Sequence, residues 1–315
     1  MRTEFEFIND IKSRYGLSKV GDDCAVLPKD ATTDLLTTSD TLVEGIDFRH
    51  EWSTPEQIGY KALAVSLSDI AAMGGTSTYA MLSIAIVENL WKSDFLDRLY
   101  AGWHGCAKDF GVELIGGDMS RTSGPLTIDS TVIGEVTKGR AVLRSGARPD
   151  DAIYVTGTLG GAAGGLELLE KGSQITSAKA VCLIEKQLQP TPQLRISSSL
   201  IKRDLASAAI DLSDGLSSDL LHLCAASKVG AEIDAALLPI EPALQSFFTP
   251  EECLDMALNG GEDFQLLFTA DEKRISGCDL PQTTRIGTVT ANIGIIELIS
   301  GRTRTRIEAR GYRHF

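Results

Sequence analysis

Acidic residues recur beside glycine, serine or threonine at the ends of apolar segments of this sequence. The six instances are Gly21-Asp22-Asp23, Ser39-Asp40-Thr41, Ser68-Asp69, Gly116-Gly117-Asp118, Asp211-Leu212-Ser213-Asp214-Gly215 and Gly260-Gly261-Glu262-Asp263. Each one alone predicts a turn or a helix cap, because turns favour Asp and Gly. Six of them together also indicate a site for a hard cation, above all Mg²⁺, which prefers oxygen ligands. Carboxylates that converged there would repel one another unless divalent cations neutralised them.

Asp69 stands out because it lies between the apolar segments 62–65 and 70–73 of a predicted helix over residues 54–73. Helical spacing places it on the same face as Ala62 and Ser66. An aspartate that faces a groove of small residues is costly to bury without a partner, so we expect one. An orientation toward solvent is the less favoured alternative. Lys61, on the same helix, is interpreted as a solvated side chain.

Two further segments have residues suited to phosphate. A glycine-rich turn at 157–165 precedes a predicted helix, where backbone N–H groups can bind phosphate. Close helix–sheet packing explains this turn equally well, because its spacing is not G-x-G-x-x-G. Arg140, Arg144 and Arg148 could clamp ATP phosphates bidentately or form a solvated linker. The sequence has neither a Walker A nor an H-R-D motif, which excludes the ordinary P-loop and protein-kinase classes.

Alternating predicted strands and helices must position these residues. Ser53 or Thr54 can cap the helix over 54–73, with Pro55 in its first turn and Gly74-Gly75 at its end. The alternation, which includes a predicted helix over 92–110 and a predicted strand over 112–115, indicates an α/β (α+β) fold. The length of 315 residues favours two domains, and the turn cluster at 148–151 predicts domains over 1–148 and 149–315.

The composition of the chain argues against several classes of function. A formal net charge of −13 argues against nucleic acid and anionic membrane surfaces as partners. The apolar segments are too short for a membrane helix and the first residues do not resemble a secretory signal, so a cytoplasmic protein is expected. Six scattered cysteines without a C-x-x-C pair predict reduced thiols, and the spacing of the four histidines does not suit zinc.

The chain resembles the thiamine-monophosphate kinases of the aminoimidazole ribonucleotide synthetase superfamily over nearly its whole length. The resemblance is carried by VGDDCAVL, TTSDTLVEGIDF, IGYKALAVSLSDIAAMG, LIGGDMSR, GRAVLRSGARPDD, IYVTG, AIDLSDGLSSDL, NGGEDFQLLF and GYRHF. It implies two α/β domains, a homodimer whose N-terminal domains pair into a shared barrel, and ATP-dependent phosphorylation of thiamine monophosphate to thiamine diphosphate. ATP, the acceptor and several Mg²⁺ ions would share one cleft. K⁺ is a possible additional cofactor that the sequence does not decide.

Individual site residues follow from the same resemblance. The implied metal ligands are Asp23, Ser39, Asp40, Asp69, Asp118, Asp211 and Asp214. The implied ATP contacts are Gly117, Asp118, Arg144 and Ser213. The implied substrate contacts are Asp47, Glu262 and Ala309. Asp47 stands where many members have His, and Ala309 where others place an aromatic residue.

Acceptor chemistry predicts the mechanism. Thiamine monophosphate is a phosphate monoester with a second pKa of about 6, so its oxygen needs no general base at neutral pH. We therefore expect direct in-line attack without a catalytic side chain or a phosphoenzyme. The alternatives are aminoimidazole ribonucleotide synthetase, selenophosphate synthetase and a non-catalytic metal- and nucleotide-binding maturation protein. Cys24, in a predicted strand, does not suit the reactive residue of a selenophosphate synthetase.

Overall fold

The structure is a computed structural model that describes residues 4–172, 177–276, 278, 280 and 282–312. Its strands are β1 (Ala25–Pro28), β2 (Thr33–Val43), β3 (Thr76–Ile86), β4 (Glu113–Arg121), β5 (Thr127–Thr137), β6 (Ala152–Thr156), β7 (Ala208–Asp211), β8 (Gly230–Asp234), β9 (Leu266–Ala270), β10 (Thr283–Thr290), β11 (Ile296–Ser300) and β12 (Thr303–Arg306). Its α-helices are α1 (Glu4–Tyr15), α2 (Pro55–Ala72), α3 (Glu88–Trp91), α4 (Phe95–Phe110), α5 (Gly161–Glu170), α6 (Ala178–Leu188), α7 (Leu194–Lys202), α8 (Leu216–Ser227), α9 (Pro250–Asn259) and α10 (Glu272–Ile275).

Helix α2 is the element on which both halves of the molecule pack. It begins as predicted, because Thr54 and Gln57 form a reciprocal capping box around Pro55. Most of its residues are buried on every side. It packs on β2, β5 and α4 of the first half and on α7, β7 and β9 of the second. A helix with an apolar surface all round is stable when it is enclosed in this way.

The N-terminal sheet has the strand order β1-β2-β5-β3-β4. Neighbouring strands are antiparallel except β3 and β4, which are parallel. Alternate residues of β5, including Ile128 and Val132, are buried on the inner face beneath α2. On the outer face of this sheet Leu27, Tyr79 and Met81 leave 37%, 41% and 37% of their surfaces exposed. One face of the sheet therefore forms core and the other an open surface.

The C-terminal sheet has the order β12-β11-β8-β10-β6-β9-β7. Its strands are antiparallel except for the parallel pair β8 and β11. The three strands β6, β7 and β9 are buried along their whole length, because apolar clusters cover both of their faces. The chain is therefore a mixed α/β protein with a two-domain fold, as predicted. None of its described helices has the length and apolar character of a membrane span.

Two segments differ from the sequence predictions. Strand β4 extends past residue 115, the predicted strand end, through Gly116-Gly117-Asp118, because these residues pair in parallel with β3 at the sheet edge. The helix predicted over 92–110 begins later, at Phe95, and the separate short helix α3 precedes it. The domain boundaries at 148 and 149 stay a prediction.

The glycine-rich turn at 157–165 serves packing. The carboxylate of Asp263 accepts hydrogen bonds from the N–H groups of Gly160 (2.5 Å) and Ala162 (3.0 Å), which a phosphate would otherwise bind. A Cβ on Gly165 would lie 2.2 Å from the carbonyl oxygen of Leu183 on α6, so the two helices approach too closely for a side chain. Of the two interpretations of this turn, the structure favours close packing.

Candidate active site

Four buried or partly buried aspartates converge where α2 meets both sheets, and we call them the carboxylate end. Asp23 precedes β1, Asp40 lies on β2, Asp69 on α2 and Asp211 at the end of β7. One oxygen each of Asp23, Asp69 and Asp211 lies within 4.8 Å of the others. The hydroxyl of Ser68 donates to Asp211 (2.6 Å), and that of Thr38 donates to Asp69. The expectation of a partner for Asp69 is confirmed.

The electrostatics of this end are unfavourable without a cation. Burial, together with neighbouring carboxylates, raises the pKa of Asp40 to about 6 and that of Asp211 to about 7. Burial, followed by the charges of Asp40 and Asp211, holds the pKa of Asp69 well above its ordinary value. One oxygen of Asp23 and one of Asp40 are buried without a hydrogen-bond partner among the described residues. Such acceptor-only oxygens fit Mg²⁺.

Arg144 supplies the positive charge at the carboxylate end. Its guanidinium donates to Asp23 through Nη2 (2.5 Å) and Nε (3.1 Å), and its backbone N–H donates to Asp22 (2.8 Å). The side chain of Asp23 is 1% exposed, so this ion pair is shielded from water. One guanidinium cannot balance four carboxylates, which leaves the cluster with excess negative charge.

A cavity of about 770 Å³ extends from this cluster. That volume suits a ligand of nucleotide size, since such pockets usually measure roughly 300–1,000 Å³. Ser213 and Asp214, in the turn after β7, also line the cavity. Two buried hydrogen bonds hold this turn, because the carboxylate of Asp219 accepts from the N–H groups of Asp214 (3.2 Å) and Gly215 (3.0 Å).

The other end of the cavity, which we call the lysine end, is lined by Asp47 and Glu262, and both residues are held by the adjacent Lys61. Its ammonium donates to Glu262 Oε1 (2.7 Å) and to the carbonyl oxygen of Asp47 (3.1 Å). The side chain of Lys61 is 3% exposed, so the interpretation of this residue as solvated is wrong. Because α2 is enclosed by both halves of the molecule, a charged residue near its middle is buried as well. The side chains of Trp52 and Tyr312 complete the wall of the cavity at this end.

Comparison with known proteins agrees with this geometry. Residues 21–136 match the N-terminal domain model of AIR synthase related proteins, and residues 148–297 match the C-terminal one. The chain is 42% identical to thiamine-monophosphate kinase of Escherichia coli K12, with 94% of this chain and 91% of that protein aligned. The chain belongs to the thiamine-monophosphate kinase family.

Further relatives support this assignment. Thiamine-monophosphate kinase of Bacillus subtilis is 37% identical over 94% of this chain and 93% of its own length. The solved structure of AaThiL complexed with AMPPCP and TMP has a TM-score of 0.90 and 33% identity, and the alignment covers 99% of this chain and 97% of that one. The fold and sequence of a thiamine-monophosphate kinase therefore extend over the whole of this chain.

Three of the residues predicted as metal ligands or ATP contacts lie outside the cavity lining. Ser39 is on the outer face of the N-terminal sheet, where its hydroxyl donates to Asp129 (3.0 Å). Adjacent strand residues point to opposite faces, which separates Ser39 from Asp40. Gly117 and Asp118 are exposed on the edge strand β4, and the backbone register places Asp118 in the same row as Asp129. Their predicted roles stay predictions.

Sequence reasoning missed an aromatic residue at the lysine end. Tyr312 lines the cavity, whereas Ala309 does not. Burial, followed by the nearby carboxylates of Asp47 and Glu262, raises the pKa of Tyr312. The backbone N–H of Tyr312 donates to the carbonyl oxygen of Asp214 (3.1 Å), and that of Gly311 to Ser218 Oγ (3.1 Å). The terminal GYRHF block was the signal that could have identified Tyr312.

Proposed function

We propose that this chain transfers the γ-phosphate of ATP to thiamine monophosphate and releases thiamine diphosphate and ADP. The supporting observation is a single cavity with a cluster of carboxylates at one end and the Lys61–Glu262 pair at the other, in a member of this family. Such a cavity can hold two phosphate-bearing substrates with their phosphates toward the carboxylate end. AaThiL, with a TM-score of 0.90 to this chain, was solved with both AMPPCP and TMP.

Magnesium is the cation that the carboxylate end fits best. Asp23, Asp40, Asp69 and Asp211 would hold it, and Asp214 extends the set along the cavity wall. When bound, Mg²⁺ neutralises the phosphates and the excess negative charge of the carboxylates. The unpartnered oxygens of Asp23 and Asp40 would then have a partner.

The phosphoryl transfer depends on the orientation of the two substrates more than on a general acid or base. An oxygen of the acceptor phosphate attacks the γ-phosphorus of ATP, and the bond to the β–γ bridging oxygen breaks as ADP leaves. The acceptor oxygen carries no proton that must be removed at neutral pH. Arg144 lines the cavity and is the guanidinium that would contact the ATP phosphates, together with Ser213.

The lysine end is the proposed acceptor site. Glu262 would contact the cationic thiazolium of thiamine, and Asp47 lies beside it. We assign the aromatic contact to Tyr312 in place of Ala309, because Tyr312 is the one of the two that lines the cavity. A tyrosine ring can stack on the flat rings of thiamine.

We also propose that the chain acts as a cytoplasmic homodimer. The apolar side chains on the outer face of the N-terminal sheet, Leu27, Tyr79 and Met81, would pack against a second copy in the shared barrel of the family. Such pairing would cover Ser39, Gly117 and Asp118, whose predicted roles would then depend on the partner. Sedimentation equilibrium tests this proposal, and a monomer at micromolar concentration contradicts it.

The decisive experiment is an assay of purified protein with ATP, Mg²⁺ and thiamine monophosphate, with products separated as fluorescent thiochromes. Free thiamine serves as the parallel acceptor, and EDTA and K⁺ titration define the ion requirement. We expect thiamine diphosphate to form from thiamine monophosphate but not from free thiamine, and we expect no product when EDTA is present. A folded protein that binds ATP but forms no product would contradict the proposal. A phosphoprotein trapped with γ-labelled ATP would contradict direct transfer.

A further inference from the structure

Lys61 occupies an unusual position for a lysine. It lies in the middle of α2, where the neighbouring residues are apolar and buried. An ammonium group enclosed in this way costs several kcal/mol unless partners replace its water. Its two described partners, Glu262 Oε1 and the carbonyl oxygen of Asp47, come from segments more than 200 residues apart. One buried cation thus connects both halves of the molecule at the lysine end.

The Glu262 carboxylate is held from two sides. Lys61 contacts Oε1, and the side-chain amide of Gln187 on α6 donates to Oε2. The amide nitrogen must face Glu262, because a carboxylate accepts hydrogen bonds and the amide oxygen cannot donate one. The other atom of that amide, Gln187 Oε1, is buried without a hydrogen-bond partner among the described residues. The protein thus leaves one polar atom unsatisfied while it holds Glu262.

The backbone at Glu262 shows the same constraint. Its φ is 67°, in the left-handed region that is uncommon for residues other than glycine. Its N–H donates to the carbonyl oxygen of Ser213 (2.8 Å), in the turn beside the carboxylate end. A residue held in such a conformation has its side chain aimed by the surrounding structure.

We propose that Lys61 is a positioning residue for acceptor recognition, acting through Glu262. Its ammonium fixes the Glu262 carboxylate and the Asp47 segment in the orientation that receives the acceptor, with Gln187 as the second support. This inference rests on the proposed function, because it assigns the acceptor to the lysine end. It makes Glu262 a preset contact that needs no rearrangement when the acceptor binds.

The test compares Lys61→Met, Glu262→Gln and the double variant in steady-state kinetics. Lys61→Met should raise KM for thiamine monophosphate at least about tenfold, because an unpaired Glu262 no longer keeps its orientation. KM for ATP should stay within about twofold. The double variant should be no worse than the more impaired single variant, because Lys61 acts through Glu262. Lys186→Met is the matched control, since Lys186 pairs with Glu241 (3.2 Å) outside the cavity lining.

Several results would overturn the inference. One is a folded Lys61→Met variant with an unchanged KM for thiamine monophosphate, and another is an additive double variant. If Lys61→Met is insoluble, Gln187→Leu replaces it and should raise the same KM about threefold or more. An unchanged KM in Gln187→Leu then counts against the inference. Failure of the proposed function is distinguishable, because the wild-type protein would then form no thiamine diphosphate at all.

Discussion

The two ends of the cavity differ in how their buried charges are balanced. At the carboxylate end, four aspartates face one guanidinium, and two carboxylate oxygens lack a partner among the described residues. At the lysine end, the ammonium of Lys61 is matched to the carboxylate of Glu262. In the proposed function a bound cation would complete the first end, whereas the fold alone assembles the second. This difference suits a site in which the phosphates arrive with metal and the thiamine moiety enters a preset pocket.

The largest expected effect is at the carboxylate end. Asp211→Asn removes a charged ligand from the centre of the cluster, so kcat/KM should fall by about a thousandfold or more at any Mg²⁺ concentration. The metal-free variant should unfold at the same or a higher temperature than wild type, because repulsion is relieved. Thiochrome kinetics and thermal unfolding measure the two effects. The exposed Asp109→Asn on α4 is the control, and wild-type activity in Asp211→Asn would contradict a role for the carboxylate end in binding a cation.

The second prediction concerns stability and pH. In the folded protein the pKa of Asp40 is about 6 and that of Asp211 about 7, above the ordinary value of 3.8. At pH values between the ordinary pKa and these raised pKa values, the folded state binds more protons than the unfolded state. The free energy of unfolding therefore falls as pH rises. Without metal, the free energy of unfolding should drop by about 6 kcal/mol from pH 4 to pH 7.5 if the two carboxyl groups titrate independently.

Chemical denaturation with and without Mg²⁺ measures this loss. Saturating Mg²⁺ should restore most of the lost stability at pH 7.5, because the ion binds the ionised carboxylates. A metal-free protein that becomes more stable over the same pH range would show that the carboxylate end is not under electrostatic strain.

A smaller effect is expected for the contact between Glu262 and the acceptor. Glu262→Gln keeps the shape of the side chain but removes the charge that pairs with Lys61, so KM for thiamine monophosphate should rise about 10–30-fold. The Mg²⁺ concentration that gives half-maximal activity should not change, because the two ends act separately. A shifted Mg²⁺ requirement would show that they are coupled.

The smallest effect sharpens the assignment of the aromatic contact. Tyr312→Ala should raise KM for thiamine monophosphate about 3–10-fold, in line with the loss of one stacked ring. Tyr312→Phe should keep most of the affinity. The matched control is Ala309→Ser, which should change KM by less than about twofold. A larger change in KM for the Ala309 variant than for the Tyr312 variants would assign the contact to Ala309, as first predicted.

Local features of the chain could be predicted because their causes are local. The capping box at Thr54 and the glycines at the end of α2 fix that helix from neighbouring residues alone. The acidic segments also predicted a cation site, because Asp beside Gly or Ser can be identified in the sequence without knowledge of the tertiary structure. Asp23, Asp40, Asp69 and Asp211 are four of the seven residues predicted to bind metal, and the structure brings these four together.

Tertiary structure decided the features that depend on enclosure and on which face a residue occupies. Lys61 could be a solvated or a buried lysine until α2 was packed between both halves of the molecule. Ser39 and Asp40 are neighbours in sequence, yet strand geometry sends them to opposite faces of one sheet. The choice of Tyr312 over Ala309 depends on how the C-terminal segment crosses the first turn of α8. Sequence determined which chemistry was available, and packing determined which residues could take part, because burial and direction arise from contacts between distant segments.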